Sequence, residues 1–360
     1  MVELYACGFN AFRQIKDSTD LPDIRNFIKI ASGHEIKVLF ASWNVTIYRI
    51  DGKIIHLGTD ELEDSQAAKE VTTNPSDIYP VSFFGTEDGV YGAISNLGTL
   101  CSYFPPTSIK PSVVCTTSMI SRRRDESEIH ILQFPNGTAF RLWMMDMSDA
   151  AEMGQESKQP YNHAPKHFHL QGQATQLCAG TTFFVLLTES GQVWTWGDAR
   201  HRQRLARPLA DSSVSRERGD VPADEPGHVG ALDGVPINKI AACGSLAGAV
   251  SRDRDLYVWG DQGPQASKSE SEARRLSVMD EEGDVKLSTI DDEVDILDVG
   301  IGYGHIIAVV EGGRVFAAGE AGNGQLGLGE NIPEFVKDWT EVESLKGLQA
   351  EGVTCGPEDD

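Results

Sequence analysis

The chain has little positive charge, no long apolar run and no paired-cysteine motif. Its 360 residues carry 31 Lys plus Arg against 54 Asp plus Glu, a formal net charge of −23. A field of that sign repels phosphate backbones, because nucleic-acid affinity comes largely from basic side chains displacing counterions. Direct nucleic-acid binding over a broad surface is therefore disfavoured. No window approaches the roughly 18 uninterrupted apolar residues of a membrane helix. The opening MVELYACGFNAF has no basic stretch, apolar run and small-residue cleavage site in the order of a secretory signal. The expectation is a soluble protein of the cytoplasm, the nucleus or both, with no membrane partner. The glycosylation-like triplets at Asn44 and Asn136 then have no route to a sugar.

Catalytic motifs are equally scarce. The chain has no GxxxxGK[ST] phosphate loop, no HExxH and no GxSxG elbow, the patterns that announce nucleotide, metal-protease or hydrolase chemistry. Gly300, Gly302 and Gly304 form a GxGxG inside a strand pattern, not between a strand and a helix. Six cysteines are present without a CxxC pair. Cys115, Cys178, Cys243 and Cys355 read as matching places in VVCTT, QLCAG, AACGS and VTCGP, while Cys7 and Cys101 fall in a later strand. There they act as small buried apolar residues and not as a zinc knuckle. His163, His167 and His169 in NHAPKHFH are the one local group with metal spacing, and the segment reads as an exposed loop. No catalytic residue, metal or cofactor is expected, and the protein reads as a non-enzyme.

What the chain does have is a repeat. VWTWG from Val193, LYVWG from Leu256 and VFAAG from Val315 are its clearest copies; LYACG from Leu4, IIHLG from Ile54, LCSYF from Leu100 and AFRLW from Ala139 are weaker ones. A period near fifty residues signals a repeat architecture. Around one copy, ATQLCAG, TTFFVLLTESG and QVWTWG read as three short strands joined by tight turns, with Ser190-Gly191, Asp51-Gly52, Leu97-Gly98, Asn136-Gly137 and Gly312-Gly313 as turn chemistry. Such a meander cannot bury both its faces alone, whereas radial packing of several buries them and leaves few edges. Trp194, Trp196 and Trp259 recur at strand ends as packing residues.

These residues carry a family resemblance. Val315 to Gly329, VFAAGEAGNGQLGLG, resembles the signature segment of the regulator of chromosome condensation repeat. The N-terminal LYACGFNAFRQI is similar, with Asn10, Gln14 and Ile15 at matching places and Arg13 where glycine is usual. The family's GxxH pattern is present at Gly302 to His305; Phe183 and Ala247 hold the histidine place in two other copies. The resemblance implies an all-β fold, a seven-bladed β-propeller spanning residues 1–360 as one domain, closed by joining the chain ends in one blade. With GVTCGP followed only by the last acidic residues, that closing blade is expected to be one strand short. Segments 198–236 and 261–293, rich in Ser, Asp, Glu, Arg, Pro and Gly, read as mobile insertions.

In this family the loops after the WG strand ends meet on one rim. Asn10, Asp198, Arg200, Asp261, Glu320 and Asn323 are therefore expected to form a composite partner-binding site. The basic cluster Arg200, Arg202, Arg204 and Arg207 reads as a solvated face or an acidic-partner dock, and Ser277 in RRLS as a phosphorylation candidate. The function expected is a non-enzymatic, monomeric adaptor for a protein partner with a basic patch. Among divergent members it is similar to the fungal alpha-tubulin-suppressor type, linked to transfer-RNA wobble modification and diphthamide synthesis, or to propellers that partner a chromatin oxygenase of the Jumonji type. The alternative is a guanine-nucleotide exchange factor for a Ran-like small GTPase.

Overall fold

A computed structural model describes residues 1–16, 23–58, 69–72, 80–86, 89–95, 100–102, 108–109, 128–133, 166–210, 220–261, 275–280, 282–290 and 294–356. Twenty-four strands succeed one another along the described residues, almost without helix. β1 (Val2–Phe9) and β2 (Asp23–Gly33) form a two-stranded sheet. β3 (Ile36–Ala41), β4 (Val45–Ile50), β5 (Lys53–Gly58) and β6 (Lys69–Thr72) form a four-stranded one. So do β7 (Pro80–Thr86), β8 (Gly89–Ser95), β9 (Leu100–Ser102) and β10 (Ser108–Ile109). β11 (Glu128–Gln133) pairs with β12 (Lys166–Gln171).

Three further four-stranded sheets follow: β13 (Ala174–Ala179), β14 (Phe183–Thr188), β15 (Val193–Gly197) and β16 (Gly227–His228); β17 (Ile237–Cys243), β18 (Leu246–Ser251), β19 (Leu256–Gly260) and β20 (Lys286–Ser288); β21 (Ile296–Gly302), β22 (His305–Val310), β23 (Val315–Glu320) and β24 (Phe335–Glu341). Each is an antiparallel meander in sequence order. The seventh repeat copy, AFRLW, lies outside the described residues.

Burial explains why the second strand of each meander is its most apolar. FFVLLT, LAGAVS and HIIAVV are buried at every position, so both strand faces are covered by neighbouring sheets and alternation disappears. The outermost strand β24, FVKDWTE, mixes half-buried and exposed residues because its outer edge meets solvent. In all five four-stranded sheets the pairing of the first two strands slips, once in four of them and twice between β7 and β8. Such a bulge adds local twist.

Successive sheets are linked through their first strands. Gln176 on β13 accepts the N–H of Ile240 on β17 at 2.8 Å, and Lys239 on β17 pairs with Asp298 on β21. Asp298 in turn accepts the N–H of Val353 at 2.8 Å. An added Cβ on Gly300 would meet Cys355, and one on Gly356 would meet Ala41 of β3. Residues 353–356 thus run between β21 and β3, beside the pair β1–β2 at the start of the chain. Register also corrects the cysteine alignment. Cys178 pairs with Val185 and Ala241 with Gly248, the same place in their sheets, so Cys243 lies two places beyond Cys178.

The histidine place of the family pattern is likewise reassigned by register. His305 faces Gly319, Leu246 faces Gly260 and Phe183 faces Gly197; Leu246, not Ala247, is the counterpart of His305. Burial lowers the His305 pKa from 6.5 to about 4, against an opposing hydrogen bond from the imidazole to the Tyr303 carbonyl. Between those values the unfolded chain binds a proton that the folded protein does not. Stability therefore falls as pH drops from 6.5 toward 4, by up to ~3 kcal/mol at about 1.4 kcal/mol per pH unit. His305→Leu should flatten that part of a urea-denaturation stability profile. Identical slopes in variant and parent would mean that the imidazole titrates as freely as in water.

Candidate partner-binding rim

In three adjacent sheets the glycine that ends the third strand is required by contact with a backbone carbonyl. At Gly197, Gly260 and Gly319 an added Cβ would land on the carbonyl oxygen of Thr182, Ser245 and Gly304 respectively, in the turn between the first two strands. Gly260 and Gly319 also hold φ of +126° and +116°, open to glycine and poorly to other residues. The same carbonyl accepts the next residue's N–H: Asp198 from Thr182 at 3.0 Å, Asp261 from Ser245 at 3.2 Å and Glu320 from Gly304 at 3.0 Å. Asp198, Asp261 and Glu320 consequently leave three adjacent sheets at the same level and on the same end.

From there each loop reaches the next sheet. Gln14, six residues after Gly8, accepts the N–H of Phe12 at 3.1 Å and donates to the carbonyl of Trp43 in the β3–β4 turn. The Phe12 ring meets Trp43 edge-on at 4.4 Å. Gln325, six residues after Gly319, accepts the N–H of Asn323 at 3.0 Å, and its loop docks on the first sheet through Arg25 to Gly322 at 2.9 Å and Gly329 to Arg25 at 2.8 Å. Arg13 holds φ 61° where Gly324 holds φ 80°. These offsets place Asn323 opposite Phe12 and not Asn10. Asn10 is 1% exposed, and its Oδ1 accepts the N–H groups of Ile15 and Lys16 at 2.9 Å each. It organises its own loop, while Asn323 is half-buried at the rim.

The basic cluster divides in two. Arg200 is 81% exposed and binds Asp198 at 2.6 Å; that bond, with the Arg200 N–H, holds the Asp198 carboxyl down to about 2. Arg202 is also exposed. Arg204, on the short helix α1 (Arg202–Leu205), is 3% exposed and spans two sheets. It donates to Asp261 at 2.9 and 2.8 Å and to the Thr182 hydroxyl at 2.8 Å, while its carbonyl accepts Trp259 Nε1 at 3.1 Å. Arg207 is buried and donates to the carbonyls of Thr195, Val221, Pro222 and Glu225 at 2.8–3.1 Å. Burial brings its pKa down to about 10. These two arginines are interior ties, not part of a solvated face. They hold much of the described part of segment 198–236 against β15, where β16 supplies the outer strand.

Sequence reasoning missed Arg204, Phe12 and Trp43 as rim organisers; the recurring offset from glycine to Gln14, Gln203 and Gln325 was the available signal. Among the described residues no three His, Cys, Asp or Glu side chains assemble as a metal site, and burial raises the thiol pKa of Cys178 to about 11 and of Cys355 to about 12. Thiols kept protonated are poor nucleophiles and ligands.

Because Arg204 is buried against Asp261, Arg204→Met should strip a mostly buried carboxylate of its guanidinium partner and cost ~3 kcal/mol. Arg200→Ala, at an exposed pair, should change stability by under about 0.5 kcal/mol. Urea midpoints of the two variants test the division; equal midpoints would erase it.

No family model matches the chain. RCC1 domain-containing protein 1 of Homo sapiens is 27% identical over 216 residues, covering 51% of this chain and 54% of the relative. Protein pim1 of Schizosaccharomyces pombe is 24% identical over 310 residues, 70% of this chain and 53% of the relative. The chain thus spans about half the length of these curated relatives. The crystal structure of Prp20p from Saccharomyces cerevisiae matches with a TM-score of 0.64 at 14% identity, over 99% of this chain and 90% of that one; at that identity the likeness concerns the fold. Together with the glycine-ended third strands and the Gln-bearing loops, these matches show an all-β chain in a propeller arrangement similar to that of the regulator of chromosome condensation repeat proteins.

Proposed function

We propose that this protein is a non-enzymatic propeller adaptor that holds a partner protein on the rim built by its third-strand loops. The observation that carries the reading is the repeated carbonyl–glycine contact, which delivers Asp198, Asp261 and Glu320 to one end of adjacent sheets. Around them Arg200 and Tyr303 are exposed and Asn323 is half-buried. The seven sheets of the described residues, five of four strands and two of two strands, act in this reading as the seven blades of one ring. The net charge of −23 favours a partner with a basic patch, whose association slows as salt screens the attraction. A cytoplasmic or nuclear transfer-RNA-modification, diphthamide or chromatin-oxygenase complex is the assembly proposed. The exchange-factor alternative is supported by the fold likeness to Prp20p, whose structure was described with its binding to Gsp1p and histones.

Capture from native lysate followed by titration tests both readings. Asp198→Lys with Glu320→Lys should weaken the recovered complex about ten-fold, a loss of ~1.4 kcal/mol, and make its salt dependence shallower while leaving the urea midpoint in place. Asp261 is left intact because Arg204 depends on it. Unchanged affinity and salt dependence would move the site to the opposite rim. A Ran-like GTPase whose nucleotide release is accelerated by substoichiometric protein would replace the adaptor with the exchange factor.

Ser277 is proposed as a phosphorylation site that needs local opening. The residue is exposed, but Leu276, Val278 and Met279 around it are buried at 3%, 4% and 5%, and its N–H and hydroxyl both donate to the Lys337 carbonyl, at 3.1 and 3.2 Å. A basophilic kinase should phosphorylate the native protein at least ~10-fold more slowly than a peptide of residues 270–283, since opening this segment costs more than ~1.4 kcal/mol. Equal rates would show that the segment is already free.

A further inference from the structure

Two of the sheets have two strands each among the described residues. In the later one, β12 makes NHAPKHFH a strand from Lys166 onward and not a loop. In the earlier one, β1 has the place of a third strand: LYACG follows the pattern of LYVWG, and Gln14 follows Gly8 by six residues as Gln325 follows Gly319. β2 is its outer partner, and residues 353–356 run where a first strand runs. The third strands β15, β19 and β23 pair along both edges. Among the described residues β1 pairs along one edge, with β2.

Two further observations concern its inner edge. Gly8 holds φ of +111°, the backbone conformation of Gly260 and Gly319. At those two an added Cβ would land on a carbonyl oxygen of the turn before the second strand, whereas at Gly8 it would meet, among the described residues, Gln325 alone, at 3.6 and 3.8 Å. Gly8 thus keeps the conformation without the contact that requires it elsewhere. The apolar layer differs too. Between the sheets β13–β16 and β17–β20 it includes Ala247 and Ala249 of the second strand β18 and, half-buried, Tyr257 of the third. Between β21–β24 and β1–β2 it takes from the latter side Phe27, Val353 and Cys355. Tyr5, at the place of Tyr257, turns instead to Glu3 at 2.8 Å, beside a Lys29 that is 51% exposed.

We propose that the inner edge of β1 accepts an extended apolar segment of a partner protein as the second strand of this sheet. This docking place is separate from the rim acids of the proposed adaptor and does not depend on them. An edge strand offers a row of N–H and C=O groups to an incoming chain, and pockets for its side chains select it. The pockets here are those of a second strand. β14, β18 and β22 are each six residues long and buried at every position, so the occupant is a run of similar length, apolar throughout and without polar alternation. It runs antiparallel to β1, and the turn before it sets a carbonyl against Gly8. Its far end lies by Glu3 and Glu351, both exposed. In a chain of net charge −23, that end favours a Lys or Arg directly after the apolar run.

A labelled peptide of residues 302–311, GYGHIIAVVE, made with Glu311→Lys, carries such a run with its turn and serves as the probe against the full chain. The expected result is saturable binding of one peptide per chain and slower hydrogen exchange at the amides of residues 2–9. A peptide with Ile306→Pro and Ile307→Pro, which lacks two ladder donors, should bind at least about ten-fold more weakly. The protein variant Asp198→Lys with Glu320→Lys should bind the peptide as the parent does, which separates this edge from the rim. Gly8→Ala should weaken binding about ten-fold, since its methyl takes the place of the incoming carbonyl; if that variant unfolds, the exchange pattern of the parent decides. No saturable binding, equal binding of the proline peptide, or protection outside β1 would overturn the proposal. So would amides of residues 2–9 that all exchange as slowly in the free protein as those of β23, because the chain itself would then cover that edge.

Discussion

A single backbone oxygen does two things at the end of the third strand in three adjacent sheets. In the turn between the first two strands, the carbonyl of Thr182, Ser245 or Gly304 occupies the space of the missing Cβ of Gly197, Gly260 or Gly319 and accepts the next residue's N–H. The two tasks are inseparable. A side chain at the glycine would push away a backbone atom that cannot rotate aside, and the hydrogen bond that sets the direction of the following loop would go with it. Everything on this rim inherits its position from that contact: the acidic residues that begin the loops, the glutamines that fold them back, and the next sheet's turn on which they rest. Asn44 and Gly58 repeat the close approach of carbonyl to glycine near the other end of the chain.

The long loop after β15 shows how a segment without regular structure is held. Its backbone carbonyls have no ladder partners, and buried acceptors left unpaired are costly. Arg207 answers that need, because one guanidinium offers five N–H donors in a fixed fork and here serves carbonyls from both sides of the loop. Arg204 does the equivalent between sheets, with Asp261 as counter-charge and the Trp259 indole on its own carbonyl. A chain with few basic residues thus places two of them inside, which leaves the surface more acidic than composition alone conveys. That bias bears directly on which partners approach.

Local pattern and remote pairing were unequally visible in the sequence. The third strands are legible because their signal is short-range: VWTWG, LYVWG and VFAAG correspond to Val193–Gly197, Leu256–Gly260 and the start of Val315–Glu320. The exit residues Asp198, Asp261 and Glu320 follow from the same motif. The cysteine alignment failed by two places because Cys178 lies five residues before Phe183 while Cys243 lies three before the corresponding Leu246, across turns of equal length, and only the ladder register reveals it. The arginine cluster was misread for a different reason. Arg204 meets a carboxylate 57 residues away, and no local pattern distinguishes an arginine with such a partner from one facing solvent. Asn10 and Asn323 look alike in sequence, yet counting from the glycine separates them.

The two classes of contact between sheets divide the work of the molecule. Second strands meet through apolar surfaces that accept Phe183, Leu246 or His305 at one register place, because burial is non-directional and tolerates a change of shape that keeps the volume. Rim loops meet the next sheet through aimed hydrogen bonds, Gln14 to Trp43, Arg204 to Asp261, Arg25 to Gly322, which tolerate little. Sequence can therefore drift in the core while the level at which loops leave the sheets stays put. A surface made this way can change its side chains, and with them its partner, without moving the backbone that presents them.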